Sequence, residues 1–94
     1  MNLYMKTENR VALVDIGSNT VRLVIFSYDR FYNISELQNI KVPARLASHL
    51  NKKSEMNREG IDKLIDILMN FQRVITRFDV ENTIYVATAA IRHS

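Results

Sequence analysis

Asp15-Ile16-Gly17-Ser18-Asn19-Thr20 is the densest run of chemically able side chains in this sequence, and Arg22 follows two residues later. A carboxylate leaving a buried strand is costly unless it is paired, hydrogen-bonded or close to a cation. Gly17 would let the backbone approach a ligand closely. The amides of Gly17, Ser18 and Asn19 could then converge on a phosphate oxygen as an anion nest. The hydroxyls of Ser18 and Thr20 add donors, and the Arg22 guanidinium suits a second oxygen. Asp15 suits Mg²⁺, directly or through water, because hard cations take oxygen ligands. The same hexapeptide also reads as an ordinary hairpin turn, with Asp, Gly, Ser and Asn doing turn chemistry. Taken alone, that plainer reading leads.

The elements that would position these residues follow from periodicity. Residues 11–14 form a short continuous apolar run, the pattern of a strand covered on both faces. Gly17-Ser18-Asn19 reads as a turn in which Gly and Asn take positive φ. Residues 21–28 resume as a second strand, Asp29-Arg30 reads as a second tight turn, and 31–42 as a third strand ended by Pro43. Short turns make these three an antiparallel meander. Residues 43–55 read as a loop with room for one helical turn. From Asn57 the period changes: Ile61, Leu64, Ile65, Leu68, Phe71, Ile75 and Phe78 recur at threes and fours, an amphipathic helix capped by Asn57 or Ser54. Residues 83–87 form a fourth strand, returned by the helical crossover to lie parallel to a neighbour. Residues 88–94 open a loop or the first turn of another helix.

Composition sets the bounds. The chain has 94 residues, one small domain at most, with 47% hydrophobic residues, two Gly and one Pro, which argues against extended disorder. The absence of cysteine excludes a disulfide scaffold, a thiolate metal site and a cysteine nucleophile. A net charge of +3 suits an anionic partner without requiring one. No apolar run resembles a secretory signal or a membrane span, so a cytoplasmic setting without membrane partners is the expectation. His49 and His93 lack companions at metal-ligand spacing. Lys41, Arg45, Lys52, Lys53 and Arg58 have no interleaved aromatics, so they read as a solvated charged loop and no nucleic-acid polymer is expected as partner.

Asp15-Ile16-Gly17-Ser18-Asn19-Thr20-Val21-Arg22-Leu23-Val24 resembles the first phosphate-binding segment of the exopolyphosphatase and guanosine pentaphosphate phosphohydrolase family. Val86-Ala87-Thr88-Ala89-Ala90-Ile91-Arg92 is similar to the family's strand-end motif. Between them, Pro43-Ala44-Arg45-Leu46-Ala47 and the long helix match the connecting region in order and spacing. The resemblance implies an α/β fold, the N-terminal half of a ribonuclease H-like domain of the actin, sugar-kinase and chaperone ATPase superfamily. Residues 1–94 would then be one partial domain.

It further implies that Gly17, Ser18, Asn19, Thr20, Arg22, Thr88 and Arg92 bind phosphate and that Asp15 meets Mg²⁺. The substrate implied is polyphosphate or guanosine pentaphosphate, cut at the terminal phosphate. The planar fork of Arg92 would pair two phosphate oxygens; without the family motif it reads as a surface arginine near the end. No residue here matches the family's water-activating glutamate, which is expected beyond Ser94, so these 94 residues alone are expected to be inactive. The alternative is a non-catalytic phosphate-binding, nucleotide-binding or subunit-interaction module. One helix cannot cover both faces of a four-stranded sheet. Exposed apolar surface and an open strand edge are therefore expected, with self-association to hide them.

Overall fold

The computed structural model describes residues 8–88 and, as backbone, Arg92–His93. Three strands, β1 (Glu8–Ile16), β2 (Val21–Asp29) and β3 (Ile34–Val42), form the antiparallel meander. After α1 (Arg58–Arg77), strand β5 (Asn82–Ala87) returns parallel to β1, giving the sheet order β3-β2-β1-β5. Two-residue strands β4 (Glu55–Met56) and β6 (Arg92–His93) pair in parallel as a separate small sheet. Arg92–His93 are extended, and the reading of residues 88–94 as a loop or helical turn otherwise falls on Ala89, Ala90, Ile91 and Ser94, which lie outside the described residues.

Strand alternation sorts the sheet into two unlike faces. On one, Ala12 and Val14 of β1 meet Ile25 and Leu23 of β2, all buried beneath Ile67, Phe71 and Ile75 of α1. Ala44, Leu46 and Met56 close the same core from the connection between β3 and the helix. The other face carries Val11, Leu13, Phe26 and Tyr28, which are only half-buried. The reading of residues 11–14 as covered on both sides therefore holds for one side of the described structure. Val11, Phe26, Tyr28, Tyr32 and Ile34 line an apolar groove of about 240 Å³ there. Ile84, Tyr85 and Val86 are exposed on β5, which forms one edge of the sheet.

Local chemistry explains the boundaries. Asn57 caps α1 by accepting a hydrogen bond from the Gly60 amide at 2.8 Å. Gly60 lets the helix start press on its surroundings: a Cβ there would stand 2.5 Å from the His49 Cβ and 2.7 Å from the Met56 Cγ. At the other end, Arg10 reaches from β1 and donates to the Phe78 carbonyl at 2.7 Å while pairing with Glu8 at 2.7 Å. A cation there satisfies a helix-end carbonyl and complements the helix dipole.

The second turn is wider than Asp29-Arg30. The Asp29 carboxylate accepts from the Phe31 amide at 2.8 Å, the Asn33 amide at 3.0 Å and the Asn33 side chain at 2.9 Å, and Tyr32 takes φ 62°. One carboxylate serving several donors can organise a longer loop, which is why β3 begins at Ile34 rather than Phe31. A bulge between Ile25 and Phe26 accounts for the irregular pattern of β3, because Gln38 and Glu36 oppose those residues and Leu37 is left over.

Candidate phosphate-binding site

Asp15 and Thr88 mark the carboxyl ends of the parallel pair β1 and β5, the end of an α/β sheet where ligands usually bind. The Thr88 amide donates to the Ile16 carbonyl at 3.0 Å, extending the ladder one step past β5. The Thr88 hydroxyl then lies 3.3 Å from that carbonyl and 3.5 Å from the Asp15 carboxylate. Both O···O distances exceed the usual range for a hydroxyl donor, so Asp15 keeps most of its acceptor capacity. Among the described residues Asp15 forms no ion pair, although its Cα stands opposite that of Arg22.

The turn between β1 and β2 is built differently from its reading in sequence. Neither Gly17 nor Asn19 has a positive φ. Gly17 is required by crowding: a Cβ would meet the Thr20 carbonyl oxygen at 2.9 Å and the Thr88 hydroxyl at 3.5 Å. Its amide is also committed, donating to the Thr20 carbonyl at 2.9 Å, and so leaves the anion nest. The Ser18 carbonyl accepts from the Ala47 amide at 2.7 Å, and the Asn19 carbonyl from the Arg45 amide at 2.7 Å. In a planar trans peptide the carbonyl and the following N–H point opposite ways. Pinning these two carbonyls toward the 45–47 segment therefore turns the Asn19 and Thr20 amides away from it. The amides of Ser18, Asn19 and Thr20 have no hydrogen-bond partner among the described residues.

Asp15, Gly17, Ser18, Asn19, Thr20, Arg22, Lys41 and Thr88 together line a groove of about 410 Å³. Seven of these were legible as candidates. Lys41 was not, because it reads as part of a basic scatter; only the β2–β3 register, Arg22 opposite Lys41, carries it to the site. Arg22 and Lys41 are exposed, and neither has an ion-pair partner among the described residues. Arg92 lies in β6 as backbone, and its side chain is outside the described residues. The described residues contain no cluster of three or more His, Cys, Asp or Glu side chains placed to hold a metal. A hard cation at Asp15 would thus have one carboxylate and a neighbouring hydroxyl, a set that suits Mg²⁺ shared with phosphate oxygens and water.

A mixed sheet of three antiparallel strands, a crossover helix and a parallel strand, with a polar loop at the carboxyl ends, is the N-terminal part of an actin-like ATPase fold. The chain belongs to the Ppx/GppA phosphatase family, whose model matches residues 23–94. That match begins just after Arg22. Exopolyphosphatase 1 of Mycobacterium tuberculosis is 28% identical over 83 residues, covering 88% of this chain and 24% of the relative. The crystal structure of the Aquifex aeolicus member of the Ppx/GppA family has a TM-score of 0.77 at 28% identity, over 85% of this chain and 26% of that one. An exopolyphosphatase from Cytophaga hutchinsonii, 24% identical over 84% of this chain and 25% of its own, shares the fold with a TM-score of 0.77. The chain spans about a quarter of the length of the relatives it matches.

Proposed function

We propose that this chain forms one wall of the active site of a Mg²⁺-dependent phosphoanhydride hydrolase that releases terminal phosphate from polyphosphate or guanosine pentaphosphate. The observation that carries the reading is the outward turn of the Asn19 and Thr20 amides, held by the Ala47 and Arg45 backbone donors, beside Asp15 and Arg22. Preset donors aimed at an anion cost no reorganisation when charge develops on it. The Ser18 and Thr20 hydroxyls and the Arg22 guanidinium bind further phosphate oxygens. Asp15, supported by Thr88, holds Mg²⁺, which when bound neutralises phosphate charge. Relatives named exopolyphosphatase support the substrate class.

Phosphoanhydride hydrolysis also needs a group that positions the attacking water. Among the described residues Asp15 is the one carboxylate lining this groove, and it is engaged with the metal in this reading. We therefore expect these 94 residues alone to bind phosphate chains without releasing phosphate.

Calorimetry with polyphosphate and with guanosine pentaphosphate, each with Mg²⁺, tests the reading. Binding heat is expected for the unaltered chain, reduced to its Mg²⁺-free level in Asp15→Ala and lost in Arg22→Ala. An unaltered chain that gives no heat with either ligand would sink it.

A further inference from the structure

We propose that Lys41 is a specificity-determining residue that holds an internal phosphate of the ligand, so that the groove prefers linked phosphates over orthophosphate. This rests on the phosphate-binding reading of the groove and deepens it. Asp15, Arg22 and Lys41 stand opposite one another on three adjacent strands, Asp15 against Arg22 and Arg22 against Lys41. Strands lie about 4.8 Å apart, so the row extends roughly 10 Å across the sheet. Along it the charge runs from a carboxylate through two cations.

Like charges directly opposite on neighbouring strands destabilise a sheet. Arg22 and Lys41 are such a pair, both exposed, and among the described residues Asp15 is the one acidic side chain lining the groove they share. Lysine on an edge strand such as β3 also discourages strand pairing between molecules. That role could be filled opposite a neutral or acidic neighbour, whereas Lys41 stands opposite an arginine. An anion between the two relieves their repulsion. The loop amides, Asp15 and Arg22 take one phosphate at the β1 end, and Lys41 stands one strand further out, where it meets the next phosphate of a chain. A chain of linked phosphates spans both positions.

Affinities of orthophosphate and tripolyphosphate, each with Mg²⁺, distinguish the possibilities in the unaltered chain, Lys41→Gln, Lys41→Arg and Lys63→Gln. Circular dichroism establishes that each variant is folded. Lys41→Gln is expected to weaken tripolyphosphate binding about tenfold, the loss of one charge-assisted contact, and to change orthophosphate binding less than about twofold. Lys41→Arg is expected to keep the preference. Lys63 is exposed on α1, and Lys63→Gln, with the same change in net charge, is expected to alter neither affinity. Unchanged tripolyphosphate affinity in Lys41→Gln, an equal loss for both ligands, or a matching loss in Lys63→Gln overturns the role of Lys41. A distinct pattern marks failure of the groove reading itself: neither ligand binds the unaltered chain, or both bind equally well after Asp15→Asn and Arg22→Gln. In that case the inference falls with it.

Discussion

The Thr88 hydroxyl lies 3.5 Å from the Asp15 carboxylate although 73 residues separate them, because β5 runs parallel to β1 and its last residue, Ala87, stands opposite Ile16. The proximity places a hydroxyl beside the carboxylate assigned to Mg²⁺. Asp15→Asn is expected to remove the difference between tripolyphosphate affinities measured with and without Mg²⁺. Binding through Arg22 and the loop amides should persist at the lower level. Thr88→Val should shift the Mg²⁺ dependence in the same direction by a smaller factor. Undiminished Mg²⁺ enhancement in Asp15→Asn would remove the carboxylate from the metal's reach.

Gly17→Ala tests the crowding at the turn. The added methyl would stand 2.9 Å from the Thr20 carbonyl oxygen, a backbone atom that moves only if the turn opens and gives up its own hydrogen bond. A destabilisation of about 1–3 kcal/mol is expected from such overpacking, read as a lower midpoint in urea. Ser18→Ala, at an exposed position of the same turn, should stay within about 0.5 kcal/mol of the unaltered chain.

The brace from the 45–47 segment predicts an effect on groove donors from outside the groove. Ala47→Pro removes the amide that holds the Ser18 carbonyl at 2.7 Å. Loss of that bond should cost about 0.5–1.5 kcal/mol of stability. It should also release the peptide carrying the Asn19 amide. In nitrogen–proton correlation spectra, the Asn19 and Thr20 amides should shift on phosphate addition in the unaltered chain. The Asn19 shift should shrink in Ala47→Pro and survive in Ala47→Ser, which keeps its N–H.

Two substitutions in α1 separate packing from propensity. Phe71 is 3% exposed at the centre of the helix–sheet interface, and Phe71→Ala should cost about 3–5 kcal/mol. In a chain of this size that is a large part of the whole stability. Gly60→Ala should gain about 1 kcal/mol on helix propensity alone. The contacts of 2.5 Å and 2.7 Å that its methyl would make with His49 and Met56 reverse the sign, so thermal unfolding should shift downward.

The Asp29 turn carries a pH signature. Hydrogen bonds from the Asn33 side chain and backbone, then from the Phe31 amide, hold the Asp29 carboxyl below its ordinary 3.8. A folded pKa below the unfolded one means the contribution is fully present above pH 3.8 and lost as pH falls through the lower folded value. Asp29→Asn should therefore lower the urea midpoint near neutral pH. The difference from the unaltered chain should narrow below about pH 4, where the unfolded carboxyl takes up its proton.

Much of the fold was readable because its elements rest on local signals. A continuous apolar run marked the first strand, and enrichment in Val, Ile and Phe marked the second. The spacing of Phe71 and Ile75 marked the helix face, and of the two caps offered for its start, Asn57 and Ser54, the structure uses Asn57. Ile65 also fell on the periodic pattern, yet it is 48% exposed while Ile67 is buried, since the direction of the helix across the sheet decides which stripe is covered. The Gly17 to Thr20 segment was visible as a polar turn between two strands.

Tertiary structure alone decided which of its amides are free. The Gly17 amide is consumed by Thr20, while those of Asn19 and Thr20 are turned away from the 45–47 segment by partners more than twenty residues distant in sequence. It also decided that Lys41 stands beside Arg22, a matter of strand register after a bulge. Composition and periodicity report what each residue prefers over a few neighbours. Which side chains meet across a sheet depends on the pairing of distant strands, and that pairing is set by burial of the whole core.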